Sequence, residues 1–447
     1  MSRRFFSRAE AQALCEKLLK WTKADETQVS YSGAWHGDTR FARNEVTTSG
    51  SVEDGTVTVG SAFGKRRASA STNVFTDEAL RACIGQAERL ARLAPEDPEF
   101  MPALAPQQYT PVSAFFDSTA NLSAEARGRA ARFALELARA AGDLTAAGFI
   151  QANVGAQAVA NSSGLFAYHQ FTDVSYTLTV RTADGTGSGW AGESSSDWTR
   201  IDPEAIARRA AHKATASRNP VAVEPGAYTV VLEPQAVGDL VQTLAFSLDA
   251  RSSDEGRGPF TKQGGGTKLG EKIVDERVTM LSDPADPALL TAPFDGDGLP
   301  LRRQVWIDRG VLTNLVYSRF WAQKQGKDPT GLPQSVRLMG GSQSIDDLVA
   351  GTDRGLLVTR FWYLRQVDPR TALITGLTRD GTFLIERGKI TKAIKNFRFN
   401  ESPLFLLSKV DGLGREERLG GVEAGGAVVM PTLRALDFHF TSLSDAV

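Results

Sequence analysis

Asn219-Pro220-Val221-Ala222-Val223-Glu224-Pro225-Gly226-Ala227-Tyr228-Thr229-Val230-Val231-Leu232-Glu233-Pro234 divides the chain. The Asn-Pro and Pro-Gly pairs punctuate it as a linker. Tyr228 to Leu232 then reads as a strand rich in β-branched residues. Pro234 opens a helix at the position where its missing N–H costs nothing. Val237, Leu240, Val241, Leu244, Ala245 and Leu248 recur on one face of that helix. The boundary predicts a domain over 1–220 and a second over 221–447.

Upstream, Ser7 with Glu10 makes a capping box. It opens a helix with Ala11, Leu14, Cys15, Leu18 and Leu19 on its apolar stripe. From Thr27 to Val74 alternating residues such as Val57, Val59 and Phe63 predict a hairpin or meander broken at Gly55, Gly60 and Gly64. Thr76 begins a second helix carrying Leu80, Cys83, Ile84, Ala87, Leu90, Ala91 and Ala94 inward. Prolines from Pro95 to Pro111 mark an irregular connector. Ser123 caps a third helix with Ala130, Phe133, Ala134, Leu137, Ala138 and Ala141 inward, stopped at Gly142. Strands return from Gly148 to Arg181, and Asp202-Pro203 starts a fourth helix. Both cysteines fall on apolar stripes, so they read as core thiols.

Downstream, Arg251 to Lys272, with Gly264-Gly265-Gly266, reads as a mobile loop. From Arg277 onward short β-like runs alternate with turns at Gly296, Gly310, Gly381, Gly388, Gly412 and Gly425. The fold class is therefore α+β: a mixed N-terminal domain of antiparallel strands and helices, then a mainly β C-terminal domain.

Composition bounds the function. The 447 residues suit two to three domains at ~150 each. Lys plus Arg total 51 against 52 acids, so no net field favours nucleic acid or an anionic membrane. Two cysteines cannot build a disulfide framework or a multi-cysteine zinc site. Met1-Ser2-Arg3-Arg4-Phe5-Phe6-Ser7 lacks an apolar stretch behind its basic pair, which argues against a signal peptide. Runs such as Val230-Val231-Leu232 fall far short of the ~18 residues that span a bilayer. The expectation is a soluble cytoplasmic protein.

The histidines, His36, His169, His212 and His439, are too scattered for any local metal pair. His212 reads as solvated, and His439, alternating with Phe438 and Phe440, as a structural strand residue. Gly185-Thr186-Gly187-Ser188-Gly189 is followed by no apolar helix, so it reads as a hairpin or flexible loop rather than a phosphate cradle. Asp295-Gly296-Asp297-Gly298 starts like a calcium loop, but Leu299 and Leu301 occupy later ligand positions, and it reads as a turn. Residue chemistry alone yields no catalytic centre.

A series of blocks carries more. Ala292-Pro293-Phe294-Asp295-Gly296-Asp297-Gly298 is followed by Ile307-Asp308-Arg309-Gly310-Val311-Leu312-Thr313-Asn314-Leu315. Then come Tyr317-Ser318-Arg319-Phe320-Trp321-Ala322 and Asp328-Pro329-Thr330-Gly331. This series resembles the TldD/TldE (PmbA) family, once described as modulators of DNA gyrase. Arg43-Asn44-Glu45, Asn161-Ser162-Ser163-Gly164 and the glycine-rich C-terminal end add weaker similarity, so the resemblance covers nearly the whole chain. No DNA-binding surface can be read to support the gyrase link.

The resemblance implies a zinc site in TldD, H-E-x-x-x-H on a helix plus a C-terminal cysteine, that hydrolyses unfolded peptides. It also implies that TldE lacks the site and pairs with TldD around a chamber. In this chain Gln242 and Ser247 stand where the two histidines would be, and Thr243 where the glutamate would be. No cysteine follows Gly351. Neutral amide and hydroxyl oxygens are poor zinc ligands, and no general base remains.

The expected function is a non-catalytic TldE-like subunit of a TldD-type metallopeptidase complex, with no catalytic residue, metal or cofactor of its own. Its expected partners are a TldD-like zinc-binding homologue in a heterodimer, or a second copy, and unfolded peptides, which the β-rich half would meet with its strand edges. Peptide processing in that family extends to small proteins such as antitoxins and peptide-antibiotic precursors. Two alternatives stay open: a peptidase with a metal site relocated to His36, His169, His439 and nearby carboxylates, or a stand-alone peptide-binding or assembly protein.

Overall fold

The computed structural model describes residues 5–421 and 427–444. The turn expected at Gly425 and the segment Met1–Arg4 lie outside the described residues. Among the described residues the strands form two sheets, of six and eleven strands. With helices on the first sheet and inside the second half, the architecture is α+β, as expected.

The first sheet is built from β1 (Glu26–Ala42), β2 (Glu45–Phe63), β3 (Arg66–Thr72), β4 (Leu144–Asn161), β5 (Phe166–Thr182) and β6 (Ser188–Ser195). Their order is β3-β2-β1-β4-β5-β6, antiparallel throughout. One face carries Val29, Tyr31, Val57, Val59, Ile150, Val174 and Tyr176, all buried. Helices cover it: α1 (Arg8–Trp21), α2 (Asp77–Leu93), the short α3 (Asp117–Ala120), α4 (Ala124–Ala141) and α5 (Pro203–Ala216). The opposite face is polar, with Ser30, Ser32 and His36 on β1, Gln151, Asn153 and Gln157 on β4, and Ser175 and Thr177 on β5.

The helix caps form where the residue types require them. Ser7 accepts from Glu10 N–H while the Glu10 carboxylate reaches back, satisfying two otherwise unpaired donors. Thr76, Ser123 and Asp202 cap α2, α4 and α5, and Gly142 ends α4 in the left-handed region. Cys15 and Cys83 are buried in one cluster with Leu18, Leu80 and Ile84.

Two details differ from expectation. Phe133 and Leu90, expected inward, are exposed, because Ala131 and Leu135, and on α2 Ala87 and Ala91, already fill the space beneath. Gly55 and Gly60 lie inside β2 and do not break it; the chain turns at Arg43-Asn44 and at Gly64-Lys65. The Gly185–Gly189 run, expected as a hairpin or flexible loop, makes the β5–β6 hairpin and leads into β6. Gly187 and Gly189 are there for packing, since an added Cβ would lie 2.2 Å from Ala214 O and 2.3 Å from Ala210 O respectively.

The second half contains β7 (Gly226–Leu232), α6 (Pro234–Ser247), α7 (Ala250–Asp254), β8 (Met280–Ser282), β9 (Gln304–Asp308), β10 (Val311–Leu312), α8 (Arg319–Gln325) and β11 (Ser335–Leu338). It continues with α9 (Ile345–Ala350), β12 (Arg354–Asp368), β13 (Leu373–Glu386), β14 (Lys389–Ala393), β15 (Phe397–Glu401), α10 (Pro403–Ser408), β16 (Val410–Arg418) and β17 (Ala427–Leu443). Because β17 pairs with both β15 and β7, the strands β17, β15, β13, β12 and β7 close on themselves. Phe361, Phe397, Phe399, Phe438 and Phe440 cluster there, with Phe361 and Phe438 stacked 5.6 Å apart.

The stretch Arg251–Lys272, expected as a loop without structure, contains most of α7 and a bridge between Thr261 and Thr267, with Phe260 fully buried.

Candidate functional site

The helix α6 follows β7 without a spacer longer than Glu233. Ala236, Val237, Leu240, Val241, Leu244 and Ala245 are buried against the second sheet. At ~1.5–3 kcal/mol for each large side chain, that burial fixes the helix firmly. It is continuously α-helical from Pro234 to Ser247. At 3.6 residues per turn, positions five apart diverge by about 140°. Gln242 and Ser247 keep the spacing of the two histidines in H-E-x-x-x-H, so side-chain chemistry, not spacing, sets this helix apart.

Their chemistry is already committed. Thr243 Oγ1 donates to Leu240 O at 2.6 Å, and Ser247 Oγ donates to Thr243 O at 3.3 Å. Gln242 is buried and its Oε1 has no hydrogen-bond partner among the described residues. An amide oxygen and two hydroxyls that donate to helix carbonyls do not fit a zinc ion. These residues hold no group able to take a proton from water.

Two polar residues on α6 escaped the sequence reading. Asp239 is fully buried, accepts from Gln235 Nε2 at 2.8 Å and from the Phe361 backbone N–H at 3.1 Å. It ties the helix to β12 where that strand's register shifts. The i, i+4 spacing of Gln235 and Asp239 is the signal that could have revealed the pair.

The histidines do not converge. His36 and His169 share the polar side of the first sheet, but His36 sits opposite Asn153 while His169 sits opposite Gln157. His36 Nδ1 lies 2.6 Å from Asn153 Oδ1. His169 is buried, stacked on Phe171 at 6.3 Å, and its Nε2 has no partner among the described residues; burial pushes its pKa down to about 4. His212 is exposed, as expected. His439, expected as a satisfied structural residue, has an exposed side chain, and its backbone N–H donates to Glu401 Oε2 at 3.2 Å. Among the described residues no group of three or more His, Cys, Asp or Glu side chains could hold a metal ion.

Polar chemistry gathers instead where the two sheets meet. Arg418 on β16 donates to Asp173 on β5 at 2.9 Å, to Ser194 Oγ at 3.2 Å and to Ala288 O at 2.8 Å. Burial raises the Asp173 carboxyl pKa against the pull of Arg418, and burial lowers that of the Arg418 guanidinium. Beside them a cavity of about 310 Å³ is lined by Glu193, Asp197, Arg200, Arg209, Glu417 and Arg418. A second junction places the buried Arg360 guanidinium 4.7 Å from the Trp190 ring and 4.9 Å from the Trp362 ring. Next to it Ser188 Oγ donates to the buried Asp380 at 2.6 Å.

The Ala292–Gly298 block is a third junction. Asp295 Oδ1 accepts from the N–H groups of Asp297 and Leu299, which makes the block a turn, as expected. The first half grips that turn: Gln28 Nε2 donates to Gly296 O at 3.0 Å and Tyr109 O–H to Gly298 O at 2.7 Å.

Residues 225–442 match the family described as PmbA/TldA metallopeptidase C-terminal domain, and residues 122–218 its central domain. A metalloprotease of Methanothermobacter thermautotrophicus is 28% identical over 284 residues, 58% of this chain and 60% of that protein. A metalloprotease TldD homolog of Haemophilus influenzae is 24% identical over 48% of this chain and 46% of its own length. The chain thus spans roughly half of the length of the curated relatives it matches. In structure, TldE from Thermococcus kodakarensis superposes with a TM-score of 0.86 at 20% identity, covering 97% of this chain and all of that one. A protein of Thermotoga maritima named as a modulator of a DNA gyrase gives 0.86 at 19% identity over 96% of this chain. Both likenesses speak to the fold. No described helix is long and apolar enough to cross a membrane.

Proposed function

Because this chain belongs to the PmbA/TldD metallopeptidase family, we propose that it acts there as a non-hydrolytic, TldE-like subunit. It completes a chamber for unfolded peptide around a TldD-type homologue that supplies the metal and the hydrolysis. One observation carries the reading: the α6 positions of the two ligating histidines hold Gln242 and Ser247, and that of the general base holds Thr243, with both hydroxyls already donating to helix carbonyls. The polar side of the first sheet supports the chamber role, since it presents Ser, Thr, Asn and Gln side chains that accept varied sequences without selecting one.

The test is affinity purification of the tagged chain from its native host, with metal analysis and peptidase assay of the eluate. The expected outcome is co-purification of an H-E-x-x-x-H homologue, zinc in proportion to that homologue, and cleavage of unfolded peptide only when both are present. Stoichiometric zinc in the isolated chain, or turnover by it alone, overturns the proposal.

A further inference from the structure

Strand β2 changes character along its outer edge. From Val57 to Phe63 it pairs with β3. From Thr48 to Asp54 no strand lies on that side among the described residues, and every residue from Glu45 to Asp54 is exposed.

The bonding direction of this edge follows from its neighbours. Thr47 Oγ1 donates to Arg40 O and Ser49 Oγ to Asp38 O, so those β1 carbonyls point toward β2. Arg127 Nη2 reaches Asp38 O and Gly50 O together, which places Gly50 O on the inner side as well. The register sets Arg40 opposite Thr48 and Asp38 opposite Gly50. In antiparallel pairing successive residues bond to alternate sides. Thr48, Gly50 and Val52 therefore bond inward, and Ser49, Ser51 and Glu53 turn their N–H and C=O groups outward. The next outward donor, Gly55 N–H, is taken by Asp54 Oδ1 at 2.8 Å. What stays open is an edge for a strand of roughly six residues.

Exposed edges are commonly guarded by lysine, proline or short length. This one has neither residue type, and its inner side is held by a regular ladder to β1. No Lys or Arg occurs from Asn44 to Gly64, whereas Glu53 and Asp54 sit at the end of the open edge in no ion pair among the described residues. Val52, 61% exposed, adds an apolar contact on the polar side of the sheet. Pairing with a second copy about Ser51 would set each Glu53 opposite Ser49 and each Asp54 opposite Thr48, so neither acid would gain a cation. An extended peptide bearing Lys or Arg neutralises them.

We propose that the outer edge of β2 from Ser49 to Glu53 binds an unfolded, basic peptide as an added strand, with a Lys or Arg of the peptide beside Glu53 and Asp54. The proposal deepens the peptide-chamber reading and moves the strand edge from the β-rich half to the first sheet. Its test needs no partner subunit and no hydrolysis, so it holds or fails separately from the subunit role.

The probe is a fluorescein-labelled, capped Lys-Thr-Val-Thr-Val-Lys peptide, titrated into the full chain and followed by anisotropy. Hydrogen exchange reads the Ser49, Ser51 and Glu53 amides. Expected results are saturable binding with slowed exchange at those three amides. Ser51→Pro removes an outward N–H and should weaken binding about tenfold with an unchanged melting temperature. Glu53→Lys with Asp54→Lys should reverse the preference toward a Glu-flanked peptide. If Ser51→Pro does not fold, a probe N-methylated at alternate residues replaces it and should bind about tenfold more weakly than the parent. Equal binding of the methylated and unmethylated probes, or by parent and Ser51→Pro, overturns the proposal. So does self-association that Ser51→Pro abolishes without any peptide binding, which assigns the edge to a second copy.

Discussion

Arg418 and Asp173 meet at 2.9 Å across the junction of the two sheets, although 245 positions separate them in the chain. Three donors of one guanidinium are used there, on a carboxylate, a hydroxyl and a carbonyl. Arg418→Ala leaves Asp173 without its cation and Ala288 O without its donor. The expected loss is about 2–4 kcal/mol. Arg418→Lys should recover little of it, because an ammonium cannot reproduce the planar fork. Urea denaturation of the three proteins measures this; full recovery by lysine refutes the directional account.

His169 predicts an acid-sensitive stability. Its folded pKa, about 4, lies below the unfolded value of about 6.5. The unfolded chain thus binds the extra proton first. Stability is unaffected above pH ~6.5, falls as pH drops from there, and levels off below pH ~4, for a total of about 3 kcal/mol. His169→Phe, which keeps a ring against Phe171, should flatten this part of the profile. Denaturant midpoints at pH 7.5 and pH 5, in parent and variant, decide it; equal pH dependence in both rules out His169 as the source.

Gly189 and Gly128 make opposite predictions from the same substitution. An added Cβ at Gly189 meets Ala210 O and Ala214 N of α5, so Gly189→Ala should cost about 3 kcal/mol by forcing the helix off β6. At Gly128, inside α4, it meets nothing within 4 Å. Gly128→Ala should stabilise by about 1 kcal/mol through helix propensity. Thermal denaturation reads both signs.

Gln242 has a buried amide oxygen with no partner among the described residues. Gln242→Leu, similar in volume, should leave stability unchanged or raise it by about 1 kcal/mol. A clear loss on denaturant titration would mean that the amide has a role its surroundings do not disclose.

The two cysteines should be silent. Burial pushes the Cys15 thiol up to about 12 and raises that of Cys83 as well. A thiol-specific reagent at pH 8 should label neither in the native chain and both in denaturant. Rapid labelling of the native protein contradicts this packing.

Where structure is local, the residues announced it. Ser7, Thr76, Ser123 and Asp202 marked helix starts because a cap depends on the next three residues alone. The α+β division and the apolar face of α6 followed from periodicity. β6 was hidden because Gly, Ser and Trp residues obscure its alternation, and its place is set by α5 packing over it. Phe133 misled because a stripe of alanines lets a helix rotate a large side chain outward. The inter-sheet junctions were illegible, since Arg418, Asp173, Trp190 and Arg360 become neighbours only once both sheets exist. The three α6 positions were found by resemblance; that both hydroxyls are spent on helix carbonyls needed the folded helix.

Helices blanket a single side of the first sheet, and this has an evolutionary corollary. Away from the contacts that Gln28, His169 and Asp173 make on the other side, residues such as Ser32 and Gln151 obey few packing demands and are free to drift without jeopardising folding. Lineages could retune what slides over that wall, charge by charge, while the scaffold behind it stays the same.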